Sequence, residues 1–174
     1  MDVIKYDGGK TIGELKGQID ACDGKPIAEL RVLELAKQGS GIYIFLEGSR
    51  PNREIIYVGK ATSQSLAQRI AIHFDTREDP KVAFIAGIVR KIRKTMQTAR
   101  EQPPLIDVIA QMEKAGTGLI LITFSNHDDC KRIAPTLEKF LIYELRGTNP
   151  EHPKYNWSGG IAAKPKEPLK NQIP

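Results

Sequence analysis

Two short apolar segments separated by turn-forming residues constrain the fold of this chain most strongly. The first, residues 41–46, reads Gly-Ile-Tyr-Ile-Phe-Leu, and the second, residues 55–59, reads Ile-Ile-Tyr-Val-Gly. Between them, residues 47–53 include Gly, Ser, Pro and Asn, which favour tight turns. β-Branched and aromatic residues bounded by turn residues are typical of a β-hairpin. The sequence therefore predicts a hairpin with one tyrosine on each strand, Tyr43 and Tyr57.

An amphipathic segment, residues 63–74, follows the hairpin directly. Its residues Leu66, Ile70 and Phe74 recur at helical spacing, which predicts one buried face. Arg69 and His73 are four residues apart, so they lie one above the other on a neighbouring helix face. Two such side chains aimed at one place suit a phosphate group, whereas either one alone would more often be an ordinary surface residue.

The N-terminal part of the chain is predicted to brace this hairpin. Residues 1–9 are expected to form a strand or an ordered arm, and residues 11–21 a helix capped by Thr11. Residues 27–38 are expected to form a second helix closed by Gly39. The apolar side of that second helix is predicted to be Ile27, Leu30, Val32, Leu33 and Leu35.

The C-terminal part supplies one further strand and one further helix. Residues 119–124 form a near-continuous apolar run, which is typical of a central strand. Residues 131–146 follow helical spacing, and Pro135 is tolerable there only in the first turn. Glu138 lies at the edge of the apolar stripe of this helix, and Glu144 lies on its other flank.

These elements predict an α/β (α+β) fold with a small central antiparallel sheet of about three strands flanked by helices. Residues 1–39 are expected to be an N-terminal helical extension and residues 40–157 the core domain. A two-helix insertion is expected within residues 77–117, and a flexible tail over residues 158–174, which is rich in Gly, Pro and Lys.

The charge distribution points weakly to a polyanionic partner. The formal net charge is +5, and residues 81–100 contain six basic and no acidic residues. A concentrated basic segment is the expected footprint of nucleic acid, although a solvated helix face is about as common an explanation. The residues assigned to nucleic-acid binding are Arg90, Lys91, Arg93 and Lys94.

Other features favour a reduced, cytoplasmic protein. Cys22 and Cys130 lie far apart in the sequence and suit neither a metal knuckle nor a disulfide framework. The N-terminus lacks the form of a signal peptide, and no apolar run reaches the length of a membrane span. We therefore expect no membrane association.

An ordered set of residues across positions 40–157 resembles the GIY-YIG nuclease superfamily, whose members include homing endonucleases, restriction enzymes and repair nucleases. The set is Tyr43, Tyr57, Lys60, Arg69, His73, Glu138 and Asn156. The resemblance implies a divalent-metal-dependent endonuclease that hydrolyses DNA, most often double-stranded, with Mg²⁺ or Mn²⁺. It implies 5′-phosphate and 3′-hydroxyl products.

The resemblance also implies a role for each residue of the set. Glu138 would hold the hydrated metal ion, Arg69 would contact the scissile phosphate, and Lys60 would add a second positive charge. Tyr43 would be the general base or would orient the water, or His73 would accept the proton through Tyr43 or Tyr57. Asn156 would be a hydrogen-bond anchor rather than a chemical group.

Two other functions remain open on the sequence. One is a non-catalytic nucleic-acid-binding module with the same fold, in which both tyrosines are ordinary strand residues. The other is a nuclease that acts on RNA, against which the low aromatic content of 6% argues weakly. Because one set of catalytic residues cuts one strand, double-strand cleavage would require a homodimer or two visits.

Overall fold

The computed structural model describes residues 2–74 and 104–145, which fold as a mixed α/β structure. The strands are β1 (Asp2–Tyr6), β2 (Lys25–Pro26), β3 (Gly41–Glu47), β4 (Glu54–Ala61) and β5 (Gly118–Phe124). The helices are α1 (Ile12–Ala21), α2 (Val32–Ala36), α3 (Leu66–His73), α4 (Leu105–Lys114) and α5 (His127–Leu145), and a 3-10 helix covers Ile27–Glu29.

The strands form one sheet in the order β1-β5-β3-β4, with β2 paired to the start of β5. The predicted hairpin is confirmed, since β3 and β4 pair antiparallel, and β5 pairs antiparallel with the other side of β3. The prediction of about three antiparallel strands is wrong for the described residues, which contain five strands. The sheet is mixed because β1 runs parallel to β5. A five-residue strand such as β1 carries no local signal of its partner, which lies more than a hundred residues away in the sequence.

Two hydrophobic clusters cover the two faces of the sheet. On one face, Ile42 and Ile44 pack with residues of α1 and α5, such as Leu15 and Leu137. On the other face, Tyr43 and Phe45 pack with residues of α3, α4 and the 3-10 helix. Strand residues alternate between faces, so consecutive residues of β3 belong to opposite clusters. The hairpin is therefore held between two helical layers.

Side-chain caps begin three of the helices. Thr11 and Glu14 form a reciprocal capping box at α1, as the sequence predicted for Thr11. Ser65 and Gln68 form a second capping box at α3. Asn126 accepts a hydrogen bond from the backbone N–H of Asp129 at the start of α5, so this Asn/Asp cluster acts as a cap.

Two sequence predictions need correction. The helix predicted over residues 27–38 is reduced to the 3-10 helix and the five-residue α2. Its predicted apolar residues Val32 and Leu33 are exposed, because the short helix buries only Leu35 among its five residues. Pro135 lies inside α5 and not in its first turn, because α5 begins at His127, earlier than predicted.

Several predictions fall outside the described residues. They are the first insertion helix, Asn156, the tail over residues 158–174 and the basic cluster of Arg90, Lys91, Arg93 and Lys94. The second helix expected within the insertion of residues 77–117 is confirmed as α4. Among the helices of residues 2–74 and 104–145, none is both long and apolar enough to cross a bilayer.

Candidate functional site

The β3–β4 hairpin places its two tyrosines side by side on one face of the sheet. Tyr43 pairs directly with Gly59, and Tyr57 pairs with Phe45, so both phenol rings project toward the face covered by α3. Their ring centroids are 5.9 Å apart, and the rings are stacked with an interplanar angle of 28°. The hairpin therefore fixes the separation and orientation of the two hydroxyl groups.

Gly59 is the residue that lets the two rings lie this close to β4. A Cβ atom at this position would fall 2.4 Å from both Cζ and the hydroxyl oxygen of Tyr43, and 2.7 Å from Cε1 of Tyr57. Gly41 has a comparable role toward the neighbouring strand, since a Cβ there would fall 2.3 Å from the carbonyl oxygen of Ile122. Close packing alone therefore explains both Gly41 and Gly59.

Helix α3 brings His73 against both tyrosines. The His73 ring centroid lies 5.2 Å from that of Tyr43 and 5.4 Å from that of Tyr57, in edge-on geometry. The Tyr43 hydroxyl and His73 Nε2 are 2.6 Å apart and form a buried hydrogen bond. The exposed fraction is 0% for Tyr43 and 1% for His73, so these two residues form a closed pair in the protein interior.

Burial keeps this pair neutral. Removal from water lowers the pKa of His73 from 6.5 to about 4, with a further contribution from the positive charge of Arg69. The same effect raises the pKa of Tyr43 well above 10, and although Arg69 opposes this rise, it does not cancel it. A Tyr43 phenolate is therefore not formed in advance at neutral pH.

The hydrogen-bond pattern indicates the direction of the donors. His73 Nδ1 is buried without a hydrogen-bond partner among the described residues. The tautomer with its hydrogen on Nε2 avoids a buried, unpaired N–H at Nδ1 and makes His73 the donor to the Tyr43 oxygen. The Tyr43 hydroxyl is then free to donate toward Tyr57. In agreement, interaction with Tyr43 lowers the pKa of Tyr57, although burial, the larger effect, leaves that pKa raised.

Lys60 and Glu138 meet on the opposite side of the sheet. Lys60 pairs with Ile42, one residue away from the Tyr43–Gly59 pair, and so projects toward α5. Its ammonium group forms an ion pair with Oε2 of Glu138. The negative charge of Glu138 nevertheless acts on Tyr57 and raises its pKa. In the part of the chain that the structure describes, β4 is the edge strand, and it carries a residue of each group, Tyr57 on one face and Lys60 on the other.

Arg69 acts electrostatically on the group of Tyr43, Tyr57 and His73. Burial raises the pKa of both tyrosines and lowers that of His73, and the charge of Arg69 opposes the rise at the tyrosines and adds to the fall at His73. The Nε–H group of Arg69 is buried, and no atom of the described residues accepts a hydrogen bond from it. The arginine thus presents a donor that an oxygen of a bound ligand could satisfy.

Two further sets of polar contacts lie outside the motif. The turn of the hairpin carries two arginines, Arg50 and Arg53, a residue type that often contacts phosphate. In the structure both donate to backbone carbonyl groups near the C-terminus of α1, and Arg50 also pairs with Asp23. Sequence reasoning did not anticipate the hydrogen bond of 2.8 Å between Ser40 Oγ and His127 Nδ1, for which no local signal exists.

Among residues 2–74 and 104–145, no cluster of three or more His, Cys, Asp or Glu side chains is arranged to hold a metal ion. The only proposed ligand in this part of the chain is the single carboxylate of Glu138. It is mostly buried, with 15% of its side chain exposed.

Comparison with known proteins gives no relative for this chain. No protein-family model, no curated protein and no solved structure matches it.

Proposed function

We propose that this chain is a divalent-metal-dependent endonuclease that hydrolyses phosphodiester bonds in DNA, with Mg²⁺ or Mn²⁺ as its cofactor. The observation that carries the proposal is that the six described members of the motif form two neighbouring groups on the two faces of the sheet. Tyr43, Tyr57, Arg69 and His73 interact on one face. Lys60 and Glu138 form an ion pair on the other face, from which the charge of Glu138 acts on Tyr57.

The carboxylate of Glu138 fits a hydrated divalent ion. Mg²⁺ keeps several waters and takes further oxygen ligands from a phosphate, so one or two carboxylates suffice. Glu138 already holds a cation, because the Lys60 ammonium lies against its Oε2 atom. When bound there, a metal ion would stabilise charge on the phosphate and activate a water.

Arg69 and Lys60 are suited to hold the phosphate. A guanidinium group matches two phosphate oxygens in a planar fork, and the unpaired Nε–H of Arg69 supplies one such donor. Lys60 contributes a flexible, compact charge from the other side of β4. The two cations together can orient the scissile group at the sheet edge.

The two tyrosines take different roles in this proposal. Tyr57 is only partly buried, whereas Tyr43 is fully buried behind it. Tyr57 is therefore the phenol that contacts the attacking water, and Tyr43 and His73 are positioning residues that direct a hydrogen bond toward the Tyr57 oxygen. A phenolate on Tyr57 would be stabilised by this hydrogen bond and by Arg69.

The test is a cleavage assay on supercoiled plasmid, on single-stranded DNA and on RNA, with Mg²⁺ and with EDTA. The variants are Glu138→Gln and Arg69→Ala. Glu144→Gln and Arg132→Ala are the matched controls, because they remove a carboxylate and a guanidinium group from exposed positions on α5 outside the motif. We expect metal-dependent cleavage that both test variants lose and both controls keep. Nicking without linearisation would indicate a monomer that cuts one strand, and linearisation a homodimer or two visits.

The alternative of a non-catalytic nucleic-acid-binding module has one observation in its favour. The Tyr43–His73 pair is closed to solvent and held neutral, as an ordinary core hydrogen bond would be. This module would bind DNA without cutting it in any divalent metal. Cleavage confined to the RNA substrate would instead establish the RNA-acting nuclease.

A further inference from the structure

The Lys60–Glu138 ion pair joins the edge strand to the helix that covers the opposite face of the sheet. Lys60 comes from β4 and Glu138 from α5, and 34% and 15% of their side chains are exposed. The pair is therefore neither a surface ion pair nor fully enclosed. A carboxylate in this setting needs a nearby cation, because an unpaired buried charge is costly.

A divalent ion and the Lys60 ammonium cannot both occupy this carboxylate without repulsion. The ammonium group already contacts Oε2, and a metal ligated by the same carboxylate would lie within a few ångströms of it. Like charges at such a distance in a partly buried site repel strongly. Binding of the metal thus requires Lys60 to move away.

Lys60 is able to make that move. Its side chain is one-third exposed and has a flexible four-carbon stem. The destination with the most favourable charge is the phosphate group that the proposed function assigns to Arg69, whose buried Nε–H has no acceptor among the described residues. Displacement by the metal and capture by the phosphate are then two halves of one exchange.

We propose that Lys60 is a resident counter-ion that a divalent cation displaces from Glu138, and that the released ammonium group then binds the phosphate of the substrate. This inference rests on the proposed function and adds regulation to the same site. The exchange makes metal and nucleic acid bind cooperatively, since each favours the conformation in which Lys60 has left Glu138. In the free protein the lysine weakens metal binding.

The test is a Mn²⁺ titration of the full chain, without nucleic acid, followed by electron paramagnetic resonance of the free ion. Lys60→Met removes the competing ammonium group, and Glu138→Gln removes the ligand. Lys139→Met is the matched control, because it deletes an exposed lysine adjacent to Glu138 and reports the general effect of one lost charge. Lys60→Gln is a second variant in case Lys60→Met does not fold.

We expect Lys60→Met to bind Mn²⁺ about threefold to tenfold more tightly than the wild type, as loss of a partly buried competing ion pair predicts. Lys139→Met should change the affinity by less than about twofold, as for an exposed charge. Glu138→Gln should abolish the site. Equal affinities for the wild type, Lys60→Met and Lys139→Met would overturn the inference, as would Mn²⁺ binding that survives Glu138→Gln or is absent from every protein.

Failure of this inference can be separated from failure of the proposed function. The titration needs no substrate, so it gives a result even if the chain cuts no nucleic acid. Cleavage that depends on Glu138, together with unchanged Mn²⁺ affinity in Lys60→Met, would reject the exchange and keep the nuclease. Tighter Mn²⁺ binding in Lys60→Met without any cleavage would support the counter-ion role and reject the nuclease.

Discussion

The Tyr43 hydroxyl lies 2.6 Å from Nε2 of His73, and the exposed fraction of neither residue is above 1%. This contact joins strand β3 to helix α3 through a polar bond in an otherwise apolar cluster. A buried hydrogen bond of this kind adds modestly to stability while it is formed, and costs more when one partner is removed. The pair therefore has a structural role that can be measured apart from any catalytic one.

We expect Tyr43→Phe to lower the free energy of unfolding by about 1–3 kcal/mol, because it leaves His73 Nε2 buried and unpaired. Urea denaturation at neutral pH measures this value. Tyr57→Phe is the control, and it should cost less because Tyr57 is partly exposed. In the cleavage assay, Tyr57→Phe should abolish activity, although it lowers stability less than Tyr43→Phe does. Equal stability of wild type and Tyr43→Phe would contradict the closed pair.

The lowered pKa of His73 predicts a specific pH dependence of stability. Below pH 6.5 the unfolded chain takes up a proton on His73, whereas the folded protein does so only near pH 4. The contribution of His73 to the free energy of unfolding is therefore fully present above pH 6.5 and falls by about 3 kcal/mol as the pH decreases toward 4. Unfolding free energies measured from pH 4 to pH 7 should show this slope in the wild type.

The carboxylates also titrate in this range, so the decisive quantity is a difference between proteins. His73→Gln should remove this component of the slope, and His127→Gln, which alters an exposed histidine, should retain it. If His73→Gln and the wild type lose stability in parallel as the pH falls, His73 is not held neutral in the folded protein.

The close packing at Gly59 predicts a large effect of one methyl group. Gly59→Ala places a Cβ atom 2.4 Å from the Tyr43 ring, so one of the tyrosines or β4 must shift. We expect a loss of about 1–3 kcal/mol or more in the free energy of unfolding, or failure to fold, as for other overpacked cores. Thermal unfolding measures it.

Gly17→Ala is the matched control for that change. Gly17 lies in α1, and a Cβ atom there meets no other atom within 4 Å. Replacing an exposed helical glycine by alanine should raise the free energy of unfolding by about 0.5–1 kcal/mol. If both substitutions change stability in the same direction, the packing argument at Gly59 fails.

Local patterns were sufficient for the elements that build the site. Alternation and turn residues predicted the β3–β4 hairpin, and helical spacing predicted α3 with Arg69 and His73 on it. The central position of β5 followed from its continuous apolar run. These features depend on neighbours in sequence, so a single sequence carries them.

Long-range features could not be predicted in the same way. The parallel pairing of β1 with β5 depends on residues at opposite ends of the described chain, and no short pattern encodes it. The complete burial of Tyr43 and His73 depends on how α3 packs against the sheet. A general base at Tyr43, which the resemblance implied, would need a lowered pKa, whereas burial raises it. The division of the motif between two faces likewise appears only once the register of Lys60 and Gly59 is known.

The basic cluster of residues 90–94 provides a prediction that is independent of the catalytic residues. Each phosphate neutralised by a lysine or arginine contributes about −0.9 to the slope of log affinity against log salt concentration for duplex DNA. Replacing all four basic residues, Arg90, Lys91, Arg93 and Lys94, by glutamine should therefore reduce that slope by about three to four and weaken binding to every duplex similarly. Fluorescence anisotropy of a labelled duplex at several salt concentrations measures the slope.

The control replaces Lys164, Lys166 and Lys170 of the tail, which should reduce the slope by less per charge. An equal reduction per charge in both proteins would show that the cluster acts only through net charge and contains no DNA-binding site.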